Sequence, residues 1–266
     1  MPELPEVETI ARGLRPELTG HRLIGAQVLW HKTLSSLSAG EFLEQIKGQQ
    51  ILDINRRAKY LNLQLGGYNL LIHLRMSGDL ALHEAAYQTQ KHDRLILELE
   101  DGRQLVFNDT RKFGRVWLTT HPEDVLGQLG PEPLDPAFGP QTLHERLLAV
   151  RRQMKPLLLD QHFLAGLGNI YTDEALHLSG IHPLRVSDTI TVEESQHLHA
   201  AIQSVLLSGI EHNGASFDWV YRGGNFQNYF RAYGREGQPC PACGAPIQRI
   251  VVGQRGTHFC PDCQGK

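Results

Sequence analysis

The chain has few cysteines, no long apolar run and no excess of positive charge. Only four cysteines occur in 266 residues, all inside two CxxC pairs near the C-terminus, so none is left over as a catalytic thiol. No apolar stretch approaches the length of a membrane span. The acidic N-terminal residues carry no signal-peptide pattern, so a cytoplasmic protein with reduced thiols is expected. The net charge of -3 argues mildly against a nucleic-acid partner. Total charge is a blunt guide, however, because local patches carry the field. Arg56, Arg57 and Lys59 cluster in one stretch, and Arg146, Arg151, Arg152 and Lys155 in another. Such clusters are more often solvated surface than binding site, and both readings stand at this point. No internal repeat or low-complexity tract is present, and the length suits two compact domains plus a small module.

What is present is concentrated at the two ends. Cys240 and Cys243 are followed, after sixteen intervening residues, by Cys260 and Cys263. Two CxxC knuckles at this spacing fit one tetrahedral, structural zinc ion. A pair of disulfides is the alternative and would suit a secreted chain. At the other end, Pro2 follows the initiator methionine, and a small second residue permits removal of Met1. The exposed secondary amine would have a pKa of about 8 or lower. It would be partly unprotonated at neutral pH and able to attack a carbon electrophile. Glu3 and Glu6 stand beside it as candidate proton carriers. The plainer alternative is that residues 2–6 only start a helix, since Pro and Glu both favour a first turn.

Periodicity organises the remainder. Val7, Ile10, Leu14 and Leu18 recur at helical spacing, which predicts an amphipathic helix over 5–18, stopped by Gly20. From about Arg22 to Thr120 the pattern changes to short apolar runs, at 61–65, 70–76, 95–99, 105–108 and 116–118. The pairs Gly66-Gly67, Ser77-Gly78 and Asp101-Gly102 read as turns between them. This predicts an all-β body, a sandwich. Prolines at 122, 131, 133, 136 and 140 mark a linker. Beyond it Thr142 with Glu145, and Thr191 with Glu194, read as capping boxes ahead of helices. The glycines at 166 and 168 make a tight turn into another helix.

In chain order, PELPEVE, the stretch Arg56-Arg57-Ala58-Lys59-Tyr60, Met76-Ser77-Gly78, residues 108–114 (NDTRKFG), GLGNIYTDEAL and the terminal ribbon form one pattern. Together they resemble the bacterial formamidopyrimidine-DNA glycosylases, base-excision enzymes that remove 8-oxoguanine and ring-opened purines. The resemblance runs from Pro2 to about Gln264. It implies an α+β multidomain fold: a β-sandwich catalytic domain with its leading helix (1–121), a proline-rich linker (122–141), a helix-two-turns-helix domain (142–235) and a zinc finger (236–266). It also implies one structural zinc ion and, as partner, double-stranded DNA carrying oxidised bases. A monomer acting in the bacterial cytoplasm, on the nucleoid, is expected.

Site roles follow from the same resemblance. A damaged nucleotide must leave the stack before its sugar can be reached. The Pro2 amine would attack C1′ and expel the base, and Glu3 would protonate the ring oxygen and later move protons during elimination. Glu6, one turn further on, would order the N-terminus and a water. Lys59, on a hairpin turn, would bind a phosphate beside the lesion. Met76, Arg111 and Phe113 would fill the hole left by the flipped nucleotide and contact the orphaned cytosine. Without the resemblance, Met76 and Phe113 would be read as core or turn residues, so their exposure is the test. Asn169 would grip the backbone at a helix N-terminus whose free N–H groups bind anions. Lys155 would lie near the lesion pocket, and Arg255, in the zinc hairpin, on flanking phosphates. His258 is not needed as a metal ligand beside four sulfurs. One stretch departs from the family pattern. The loop at 216–229 is shorter and differently composed, which bears on lesion preference more than on mechanism.

Overall fold

The computed structural model describes residues 1–35, 37–215 and 223–265. The loop at 216–229 therefore lies partly outside the described residues. The chain forms two compact units. One holds Met1–Pro2 and Glu6–Gln128, and the other holds Glu3–Pro5 with residues 129–215 and 223–265.

In the first unit, α1 (Leu4–Leu18) leads into β1 (Leu23–Val28) and α2 (Ala39–Ile46). The strands β2 (Ile51–Arg57), β3 (Tyr60–Leu65), β4 (Asn69–His73), β5 (Gly78–His83), β6 (Asp93–Leu99), β7 (Gln104–Asp109) and β8 (Arg115–Thr119) follow. They make two four-stranded antiparallel sheets, ordered β1-β6-β7-β5 and β2-β3-β4-β8. Alternating apolar residues from both sheets, such as Leu61, Leu63, Leu95, Leu97 and Phe107, share one core with the Val7, Ala11, Leu14 and Leu18 stripe of α1. Truncating one of these, Leu61→Ala for example, costs about 2–5 kcal/mol through lost burial and a residual cavity.

The sandwich is as expected, but the body is not all β. Ser38 and Glu41 form a reciprocal capping box, with bonds of 3.3 and 2.9 Å, that starts α2. Its eight residues are too short for apolar periodicity to stand out from the surrounding strands. The run at 70–76 is a strand only as far as His73, and Gly78 opens β5 rather than closing a turn. Both differences leave Met76 in the loop between two strands.

The second unit follows α3 (Glu123–Leu126), a single short turn inside the proline-rich stretch. It contains α4 (Pro140–Leu148), α5 (Met154–Leu159), α6 (Asn169–Leu178), α7 (Val192–Glu211) and the hairpin β9 (Gln248–Val252) with β10 (Arg255–Phe259). Thr191 and Glu194 form the expected capping box at the start of α7. Thr142 forms none. Pro140, with φ preset and no N–H to lose, takes the first position of α4 behind Gly139, so Thr142 already lies inside the helix. The core joins α4 to α7 through Leu143, Leu147, Leu157, Leu176, Leu198 and Leu206, with Leu4 packed among them. No helix among the described residues is long and apolar enough to cross a membrane.

Candidate functional site

The sequence Gly-Leu-Gly ahead of α6 lets the chain come close to Glu3 and Leu4. Gly166 has φ +104°, and a Cβ there would meet the Leu4 side chain, while one on Gly168 would fall inside the Glu3 carboxyl group. The first N–H groups of a helix have no intrahelical acceptor. Here the Glu3 carboxylate supplies one: Oε2 accepts from Gly168 N–H at 2.7 Å and Tyr171 N–H at 3.4 Å, and Oε1 from Ile170 N–H at 3.0 Å. Leu4 N–H donates to Gly166 C=O at 3.1 Å and closes the arrangement. Glu3 is only 2 % exposed. The expectation of free N–H groups awaiting a phosphate at this helix is thus corrected. The chain's own carboxylate occupies those of Gly168, Ile170 and Tyr171.

Three further predicted residues meet around the same helix. Lys155 is fully buried, and its Nζ donates to Asp173 Oδ1 at 2.5 Å and to Asn169 C=O at 3.0 Å. Burial holds this ammonium below the usual lysine value, against the opposing pull of Asp173. Lys155 is therefore a buried partner of α6 and not a surface charge. The other oxygen of Asp173 accepts the backbone N–H of His258 at 3.0 Å and faces its ring Nδ1 at 3.3 Å. Asn169 Nδ2 donates to Gly256 C=O at 2.9 Å, and its Oδ1 is buried with no hydrogen-bond partner among the described residues. Both bonds tie α6 to β10, whose first residue is the exposed Arg255. The two-residue turn beneath Arg255, Gly253-Gln254, has φ of +55° and +62°, the geometry of a tight hairpin. Two members of the basic run before α5 are engaged within the chain, while Arg151 is exposed. Arg146 donates to the Phe163 carbonyl at 2.8 Å, and Arg152 pairs with Asp160 at 2.7 Å.

The first unit holds the remaining predicted residues. Pro2 and Glu6 are both buried, and Met1 is half exposed. Lys59 sits in the two-residue turn between β2 and β3, after Ala58 at φ +53°. It is 5 % exposed, although its residue type suggests surface. Arg56 braces that turn from below, donating to Ala58 C=O at 3.0 Å and to Glu8 at 2.9 Å.

Met76 and Phe113 are 40 % and 47 % exposed, so neither is a core residue. Arg111 lies over the Phe113 ring, 5.1 Å from its centroid. Sequence reasoning missed what holds their two loops together. Buried Asp109 accepts from Ser77 Oγ at 2.5 Å, Arg111 N–H at 3.1 Å and Gly114 N–H at 2.7 Å. Arg115 gathers the carbonyls of Lys112, Phe113 and Gly114 at 2.9–3.3 Å, and Lys112 rests over Trp30, 4.1 Å from its centroid. Beneath Met76, His73 Nδ1 accepts Arg75 N–H at 3.0 Å. Burial, aided by the nearby Arg75 and Lys59 charges, drops the His73 pKa to about 3, so its ring is neutral. The donor-rich run NDTRKFG was a visible clue to such a loop, but the partners across it were not.

The four cysteine sulfurs lie within 4.8 Å of one another, with Cys240 to Cys263 at 3.8 Å and Cys243 to Cys260 at 3.4 Å. A tetrahedral zinc with bonds of about 2.3 Å needs sulfur–sulfur edges of about 3.8 Å, so the set fits one zinc ion. No disulfide links them. His258 is not among these residues, but His177, unremarked in the sequence, brings Nε2 to 3.2 Å from Cys240 Sγ.

Comparison with known proteins covers nearly the whole chain. Residues 1–116 match the model of the formamidopyrimidine-DNA glycosylase N-terminal domain, residues 129–219 its H2TH domain, and residues 237–265 the zinc finger found in FPG and IleRS. The formamidopyrimidine-DNA glycosylase of Chloroflexus aurantiacus is 48% identical, over 99% of this chain and 98% of its own. That of Pelotomaculum thermopropionicum is 43% identical, over 99% of both. Among solved structures, MutM in complex with DNA containing carbocyclic 8-oxo-G superposes with a TM-score of 0.93 at 37% identity, covering 100% of both chains. Lactococcus lactis Fpg bound to DNA containing N7-benzyl-Fapy-dG gives 0.93 at 36% identity, again over 100% of both.

Proposed function

The chain belongs to the formamidopyrimidine-DNA glycosylase family, and on that premise we propose that it excises oxidised purines from duplex DNA and then nicks the abasic site. Its substrates are 8-oxoguanine and formamidopyrimidines, and a structural zinc ion holds the C-terminal hairpin. The reading places it as a monomer in the bacterial cytoplasm, acting on the nucleoid.

In this reading Met1 is removed and the Pro2 nitrogen becomes a secondary amine. Its lone pair attacks C1′ as the bond from C1′ to the base breaks and the base departs with a proton. The sugar ring opens to an iminium ion, with Glu3 delivering a proton to the ring oxygen. The iminium acidifies C2′–H, whose loss expels the 3′ phosphate. A second elimination expels the 5′ phosphate and leaves a one-nucleotide gap. Glu6 orders the N-terminus, and Lys59 holds a phosphate next to the lesion. Met76 and Phe113 replace the lost stacking while Arg111 bonds the cytosine. Asn169 and Arg255 grip the flanking backbone, with Lys155 orienting Asn169 from inside.

The observation that carries the reading is the seat of Glu3. Its three backbone N–H donors fix a carboxylate beside the residue that supplies the amine. A side chain meant only to start α1 would have no need of a partner 165 residues away. The test is a strand-cleavage assay on a duplex with 8-oxoguanine opposite cytosine. The expected products carry phosphate on both sides of a one-nucleotide gap. An intact strand after full incubation, with zinc-loaded protein and an abasic-site duplex also uncut, would overturn it.

A further inference from the structure

The metal centre has a neighbour that the four-cysteine pattern does not announce. His177 sits in the last turn of α6, buried, with Nε2 at 3.2 Å from Cys240 Sγ. Cys240 Sγ also accepts the Ala242 backbone N–H at 3.4 Å, and Cys260 Sγ accepts Cys263 N–H at 3.4 Å. Backbone donation of this kind comes with a CxxC knuckle. A side-chain donor from another element does not.

The tautomer follows from the chemistry of the bound metal. Zinc takes cysteine as thiolate, so no S–H remains to donate to the ring. The imidazole must then carry its hydrogen on Nε2 and donate to sulfur. His177 Nδ1 is buried with no hydrogen-bond partner among the described residues. With the hydrogen on Nδ1 instead, a buried N–H would lack an acceptor and the Nε2 lone pair would face a thiolate. Four thiolates around one zinc leave the centre doubly negative, and an N–H donor draws charge from the sulfur. We propose that His177 is an outer-shell partner of the zinc centre, donating Nε2–H to the Cys240 sulfur and slowing loss of the metal.

The placement also gives α6 a metal-bound end. Asn169, in its first turn, lies eight residues or about 12 Å from His177 along the axis. The helix that receives Glu3 at its start is thereby fastened to the zinc site at its finish. The proposal does not depend on the substrate.

The test follows zinc release from the full-length, zinc-loaded protein into an excess of chromogenic chelator. His177→Phe, which fills the space without a donor, should release zinc about 10- to 100-fold faster, the range for loss of an outer-shell partner. His177→Gln retains an N–H and should stay near the unsubstituted rate. Equal rates for His177→Phe and the parent would overturn the proposal. Equally fast release from His177→Gln and His177→Phe would also overturn it, since packing would then be the cause. Should the Phe variant not fold, NMR of the parent protein loaded with NMR-active cadmium decides. Scalar coupling between the metal and the His177 Hε2 proton is expected, and a hydrogen found on Nδ1 would contradict it.

Discussion

The start of α6 and the loops carrying Met76 and Phe113 solve opposite problems. Around α6, a carboxylate, an ammonium and a second carboxylate are all buried, and each is matched by named donors or acceptors. In the loops, a thioether, a guanidinium and a phenyl ring are left exposed on a base made rigid by Asp109 and Arg115. A group that must move protons gains from a fixed, dry setting, where electrostatic interactions are strong. A group that must enter a base stack has to be bare before DNA arrives. The difference teaches that, on the proposed mechanism, exposure serves the loops and would defeat the carboxylate at α6.

Substitutions at α6 should therefore be the most severe. Glu3→Gln turns an N–H toward one of the three helix N–H groups and removes the proposed proton carrier. Strand cleavage should fall about 100- to 10,000-fold, the usual range for losing a general acid or base. A smaller loss of cleavage, accompanied by a loss of stability, would mean that the carboxylate is only a helix cap. Asp173→Ala strands the Lys155 ammonium in the interior and should cost about 3–5 kcal/mol in denaturant unfolding. The double variant Lys155→Met with Asp173→Leu should regain most of that, because the unpaired charge is gone.

His73 brings buried behaviour under an exposed loop. Its folded pKa of about 3 lies below the unfolded value near 6.5, so the unfolded chain binds more protons between these pH values. The stability it contributes is complete above about pH 6.5 and is lost as pH falls toward 3. By pH 5 the loss should be about 2 kcal/mol relative to His73→Gln, read as the difference between their urea midpoints across pH. Parallel pH profiles would show that His73 is not held neutral.

The loop tips should show the smallest effect on folding. Phe113→Ala should change stability by less than about 0.5 kcal/mol, as for other exposed positions. Its binding to lesion-containing duplex should weaken by about 1–3 kcal/mol, the worth of one stacked base. A large loss of stability here would erase the contrast with α6.

Much of this could be read in the chain, and the limit was sequence separation. The CxxC pairs, the stripe of α1 and the Thr191–Glu194 box are local patterns, and each appears in the structure. Glu3 on Gly168, Asp173 on His258 and Asp109 on Ser77 join positions 165, 85 and 32 residues apart, where no local pattern reaches. Lys59 and Lys155 illustrate the cost. Lysine is a surface residue by type, and only the folded chain reveals that both are buried. Where two local signals competed, as at Pro140 and Thr142, the proline's fixed backbone won over an exposed cap.

Covalent catalysis by the Pro2 amine is the central claim, and borohydride trapping tests it most directly. The protein is incubated with a duplex bearing 8-oxoguanine opposite cytosine, reduced, digested and mapped by mass. The account predicts a DNA adduct on a peptide that begins at Pro2 and has lost Met1. An adduct on Lys59 or another side chain, or cleavage by a protein that still carries Met1, would contradict it.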